Sequence, residues 1–173
     1  MKKRILIAAL VMCHAIALTA QIDFDKKLKE LGVELYPPSK PIANYVKAVR
    51  VGNLLFLSGH GPNKRDGTSI TGKLGKDLTI EQGYAAAKLT AEGILSTIKV
   101  ELGDLNKVKR IVKVNGWVNG VPEFGDQPKV INGCSDLMVA VFGEKGKHAR
   151  SAMGAGSLPM GIAVEIEMVI EVE

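Results

Sequence analysis

The chain has 173 residues, 46% of them hydrophobic and 5% aromatic, with 23 Lys and Arg against 18 Asp and Glu and two cysteines. That length suits one domain with an appendage, and the modest net charge of +5 calls for no polyanion partner. The two cysteines exclude a disulfide-stapled scaffold, and no Cys or His pair has metal-ligand spacing.

The appendage comes first in the chain. Met1-Lys2-Lys3-Arg4 is basic, Ile5 to Leu18 is an apolar run interrupted by His14, and Thr19-Ala20 is small. This is the layout of a secretory signal, so residues 1–20 are expected to be a leader cleaved after Ala20, with Ala17 as second choice. The apolar run falls short of the roughly 20 residues of a stable membrane helix. A retained N-terminal anchor is the alternative, and Cys13 follows Val11-Met12 rather than the small residues of a lipid-attachment site. The expectation is a periplasmic or secreted protein with no membrane contact after cleavage. Residues 21–173 then carry 20 basic against 18 acidic residues and a single thiol, Cys134.

Phe24, Leu28 and Leu31 have helical spacing, closed by Gly32, and Pro37-Pro38-Ser39-Lys40-Pro41 is a stiff extended linker. Tyr45 to Val51 and Leu54 to Leu57 predict two strands hinged at Gly52-Asn53. Gly59 to Gly75 is rich in turn formers and predicts a loop. Leu78 to Leu102 is the longest helix candidate. Thr79 and Gln82 form a capping box, and Tyr84, Ala87, Ala91, Ile94, Leu95, Ile98 and Leu102 make one apolar stripe. Val108 to Val118 predicts a strand and Pro128 to Phe142 a helix with Val130, Ile131, Leu137, Met138 and Val141 inward. Residues His148 to Glu173 predict a closing strand pair, Ala149 to Gly154 and Ile162 to Val172. The order β-β-α-β-α-β-β argues an α+β domain, one sheet with two helices on one face. With so much apolar surface, an oligomer that covers the open face is expected.

A few polar residues carry candidate chemistry. Arg150 sits among Ala149, Ser151 and Ala152, which leaves space before a guanidinium fork suited to a carboxylate. A surface arginine paired with a nearby glutamate is the plainer reading. Glu165 and Glu167 alternate with Val164, Ile166 and Met168, so both project from the face opposite the core. They are either solvent-facing acids or, in a partly desolvated cleft, groups that activate water. Ser58-Gly59-His60-Gly61 lets backbone amides approach a ligand or is a plain strand exit. Cys134 reads as a buried thiol, with no His and acid to activate it.

Taken in order, these stretches resemble the RidA (YjgF) family of reactive-intermediate deaminases from about Pro38 to Val172. Asn44-Tyr45, Val49-Arg50-Val51-Gly52-Asn53 and Leu57-Ser58-Gly59 come first. Phe124, Asn132, Ala149-Arg150-Ser151-Ala152, Leu158-Pro159 and Val164-Glu165-Ile166-Glu167 follow. The resemblance implies a chorismate-mutase-like fold, a homotrimer with clefts between subunits, and hydrolysis of 2-aminoacrylate-like enamines and imines to 2-keto acids and ammonia, without cofactor. It further implies that Arg150 holds the substrate carboxylate and Glu165 positions water. Tyr45, Ser58 and Asn132 would line the cleft, and backbone groups of Gly59 and Ala152 would orient the imine nitrogen and the water. His60 departs from the glutamine of the better-known members. A non-catalytic binder of small carboxylates is the alternative. A ribonuclease, a label some relatives carry, lacks support from a basic stripe interleaved with aromatics or from a catalytic His pair.

Overall fold

The computed structural model describes residues 21–38, 40, 41 and 43–173. The expected leader, residues 1–20, lies outside the described residues.

After a short helix α1 (Phe24–Glu30) come strands β1 (Ala48–Val51) and β2 (Leu54–His60), joined by a turn at Gly52 with φ +59°. Helix α2 (Ile80–Leu102) follows the long loop, and the capping box is realised. The Thr79 hydroxyl accepts from Gln82 N, and the Gln82 side chain accepts from Thr79 N. Its last turn ends at Gly103 in the left-handed conformation. Strand β3 (Val108–Asn119), helix α3 (Gln127–Phe142), strand β4 (Ala149–Ala155) and strand β5 (Val164–Val172) complete the domain. Sequence reading thus found every strand and α-helix among the described residues, with ends displaced by a few residues. The largest changes are at β1, where Tyr45, Val46 and Lys47 stay outside the ladder, and at β2, which runs on from Leu57 to His60.

The five strands form one sheet in the order β1-β2-β5-β3-β4. The closing strands are therefore not partners: β5 pairs antiparallel with both β2 and β3, while β4 runs parallel to β3 at the sheet edge. The physical reason is the intervening helix. A strand–helix–strand run of β3, α3 and β4 makes a parallel crossover, and α3 packs back across the sheet.

Alternation divides β5 cleanly. Val164, Ile166, Met168, Ile170 and Val172 are buried beneath the helices, and Glu165, Glu167 and Val169 face the other side. Ile94, Leu95 and Ile98 of α2 and Ile131 and Met138 of α3 close the core against that face. Full burial of each such side chain stabilises the fold by about 1.5–3 kcal/mol. The helices approach closely where Gly133 of α3 meets α2: a Cβ there would stand 2.1 Å from the Tyr84 carbonyl oxygen. Helix α1 adds a third helix to the two expected on this face and joins the core through Phe24, whose ring lies 5.4 Å from that of Phe142. The opposite face carries exposed Val49, Val51 and Phe56, with half-buried Trp117 and Val169 beside them.

Candidate functional site

The sequence candidates fall into two groups. The first surrounds a bulge in β2. Leu57 pairs with Met168 and His60 with Ile166, so three steps along β2 match two along β5, and Ser58-Gly59 holds the extra residue. Ser58 is tied back to the entry of β1: its amide donates to the Lys47 carbonyl at 3.0 Å and its hydroxyl to the Val46 carbonyl at 2.6 Å. Tyr45, adjacent in the chain and exposed, sits at this end of the sheet. Gly59 faces Glu165 so closely that a Cβ would lie 2.0 Å from Oε1. Only glycine lets the carboxylate rest against the strand backbone here. Burial, and then the neighbouring Glu167, holds the Glu165 carboxyl above the ordinary range. Glu167 accepts a hydrogen bond from Asn115 Nδ2 at 2.8 Å.

The bulge also turns His60 inward. Its Nδ1 lies 2.6 Å from the Ser58 carbonyl and its Nε2 2.9 Å from the Thr97 hydroxyl on α2. A carbonyl can only accept, so Nδ1 carries the hydrogen and Nε2 accepts from Thr97. Burial pushes the His60 pKa down to about 4, so the ring is neutral near pH 7.

The second group lies at the β4 edge on the helix side. Arg150 pairs in register with buried Val114 and points toward α3. Its Nη1 donates to Asn132 Oδ1 at 2.8 Å and to Ser135 Oγ at 3.0 Å. These two bonds use both hydrogens of Nη1. Among the described residues Nε and Nη2 have no protein partner and no carboxylate pairs with the guanidinium. The plainer expectation of a surface Arg–Glu pair is therefore not what the structure shows. Ala152, also half-buried, pairs with Gly116 two residues further along β4. Cys134 is fully buried on α3, and burial raises its thiol to about 12, which leaves it protonated and inert.

Within one chain the two groups do not meet. Glu165 and Arg150 project from opposite faces of the sheet, with β3 between their strands, a lateral separation of about 10 Å. Sequence reading named Asn132 but missed Ser135 and His148. Both were findable: Ser135 shares the helix face of Asn132 by its i+3 spacing, and His148 shares the face of Arg150 by alternation.

Comparison with known proteins decides the family. Residues 25–171 match the family model described as "YjgF/chorismate_mutase-like, putative endoribonuclease". The chain belongs to the YjgF/RidA family. TCP17 of Trypanosoma cruzi is 45% identical over 145 residues, 83% of this chain and 91% of that protein. A protein of Dermatophagoides farinae named 2-iminobutanoate/2-iminopropanoate deaminase is 30% identical over 135 residues, covering 78% and 90% respectively. Among solved structures, a protein of unknown function from Agrobacterium tumefaciens is 43% identical, covering 87% of this chain and 92% of that one, with a TM-score of 0.82. The α+β architecture is accordingly the chorismate-mutase-like fold of the YjgF/RidA family.

Proposed function

We propose that this YjgF/RidA member hydrolyses 2-aminoacrylate-like enamines and imines to 2-keto acids and ammonia, at a site shared between adjacent copies of the chain. The observation that carries this reading is the state of Arg150. Its guanidinium is held at Nη1 by two neutral side chains, Asn132 and Ser135, while the Nε–Nη2 edge has no partner among the described residues. A fixed cation with one free, planar edge is suited to a carboxylate. The Dermatophagoides farinae relative named an imine deaminase supports the same chemistry.

An enamine takes a proton at its β carbon to become the imine, whose carbon is already electrophilic. Water then adds to that carbon as Glu165 takes one of its protons and returns it to the nitrogen. The hydroxyl of the resulting carbinolamine gives its proton to the nitrogen by the same carboxylate, the C=O bond forms, and the C–N bond breaks with its electron pair leaving on ammonia. Glu165 suits this exchange because its raised pKa brings it closer to neutrality than a free carboxylate. Anchoring and water placement supply the acceleration without any cofactor.

Arg150 and Glu165 lie on opposite faces of their own sheet, so the reading requires the Arg150 edge of one copy to meet the Ser58–Gly59–Glu165 group of another. A ring of three copies does this head to tail and covers the apolar face bearing Val49, Val51 and Phe56. The proposal extends to export of the chain through its leader, which a mass measurement of the protein recovered outside the cytoplasm checks.

The deciding assay couples enzymatic generation of 2-aminoacrylate to ammonia release. Acceleration over buffer, abolished by Arg150→Ala, is expected; no acceleration overturns the hydrolase reading. Saturable binding of pyruvate without turnover would instead establish a small-carboxylate binder.

A further inference from the structure

His148 lies two residues before Arg150 on the same side of the chain, and Ser135 lies between them. Ser135 Oγ is 3.0 Å from His148 Nε2 and 3.0 Å from Arg150 Nη1, and His148 Nδ1 is 2.7 Å from the Gly146 carbonyl. The direction of each bond follows from what each group can do. The Gly146 carbonyl only accepts, so Nδ1 carries the ring hydrogen. In a neutral ring Nε2 then accepts, and the single hydroxyl hydrogen of Ser135 must point to it. That leaves the Ser135 oxygen lone pairs for Nη1 of Arg150, which can only donate.

The chain of donors thus runs one way, from the guanidinium through the hydroxyl to the imidazole, while the imidazole donates to backbone. Gly146, the terminus of this relay, is packed closely on α3: it is buried, and a Cβ there would stand 2.3 Å from the Met138 carbonyl oxygen. The relay is therefore seated against the C-terminal half of α3. Burial, and then the charge of Arg150, holds the His148 pKa below its ordinary value, which keeps Nε2 free to accept.

We propose that Ser135 and His148 are positioning residues that lock the Arg150 guanidinium at Nη1, so that a substrate carboxylate is taken side-on through Nε and Nη2. The proposal rests on the reading of Arg150 as carboxylate anchor and deepens it. Without the hydroxyl, Nη1 would keep only Asn132, and the plane of the fork would be free to turn about that one bond. Correct binding would then require a rotation to be frozen out for each ligand.

The test uses the full-length protein purified as its native assembly and pyruvate as probe. Ser135→Ala and His148→Ala are each expected to weaken pyruvate binding about 10-fold. The double variant should be no weaker than either single one, because both act through one guanidinium. Ser135→Thr, which keeps the hydroxyl, should restore affinity to within about twofold. An unchanged affinity in Ser135→Ala beside complete loss in Arg150→Ala overturns the relay and leaves the anchor standing. No loss in Arg150→Ala, or no binding of pyruvate by the unaltered protein, overturns the anchor itself. A measurement on the unaltered protein covers the case in which a variant fails to fold. Nitrogen-15 spectra of the His148 ring should show a hydrogen on Nδ1 and an accepting Nε2, and a hydrogen on Nε2 at pH 7 overturns the relay.

Discussion

The Glu165 carboxylate rests on the backbone of Gly59, with Oε1 only 2.0 Å from where a Cβ would be. The clash in Gly59→Ala would fall on the end of a flexible side chain, so the fold can yield there and Glu165 must move. Gly59→Ala should therefore lose about 10-fold or more in kcat/KM for 2-aminoacrylate, while destabilising by no more than about 1–3 kcal/mol. Steady-state kinetics beside a thermal melt separates the two; full activity would show that the position of Glu165 is immaterial.

Glu165→Gln keeps the shape of the side chain and removes its ability to take a proton. Loss of a general base costs roughly 10²–10⁴-fold in rate. The drop should appear in kcat, with KM within about twofold of the unaltered protein. In the latter, activity should fall as pH drops through the raised pKa of Glu165, because the protonated acid cannot accept the proton from water.

Arg150→Lys retains a cation and loses the planar edge. A lysine cannot donate to Asn132 and Ser135 and also offer two parallel bonds to a carboxylate. Pyruvate affinity should fall about 10- to 100-fold, the loss of one or two charge-assisted bonds. Titration calorimetry checks it, and affinity equal to the unaltered protein would refute a forked contact.

His60 makes stability depend on pH. Its ring stays neutral in the folded protein down to about pH 4, whereas an unfolded histidine takes its proton near 6.5. Between these values the unfolded state binds more protons, so the His60 contribution is complete above about pH 6.5 and is lost as pH falls toward 4. The span corresponds to about 3 kcal/mol. Denaturant unfolding at pH 7 and pH 4.5 should show a steeper loss for the unaltered protein than for His60→Gln; equal losses would place the ring in water.

Gly133→Ala tests the helix layer. The added Cβ would strike the Tyr84 carbonyl at 2.1 Å, and backbone of a packed helix cannot swing aside. A loss above about 2 kcal/mol is expected, read as a lowered Tm. A variant as stable as its parent would mean that α2 and α3 separate freely.

Much of this architecture is legible because it is local. The Thr79–Gln82 box and the stripe from Tyr84 to Leu102 define α2, and strict alternation from Val164 to Val172 defines both β5 and the side on which Glu165 lies. Strand order is not local. Nothing in residues His148 to Glu173 states that β3 will come between β4 and β5; that follows from α3 carrying the chain across the sheet. Tyr45 and Val46 fit a strand by alternation, yet the Val46 carbonyl is taken by the Ser58 hydroxyl, and the ladder begins at Ala48. The partners of Arg150 escape a linear reading for a similar reason, since a helix period and a strand period must be combined to bring Ser135 and His148 to one guanidinium.

The extra residue at Ser58-Gly59 sets the phase of all that follows in β2. Were the same residues paired one to one from Leu57 onward, with no bulge, the register would shift by a step. His60 would then stand opposite Glu165 and turn to the outer face, and Gly59 would take its place opposite Ile166. The core beneath Ile166 would lose an imidazole bonded to Thr97, and the acid would gain a titratable neighbour. The bulge thus decides whether this histidine belongs to the protein's interior or to its chemistry.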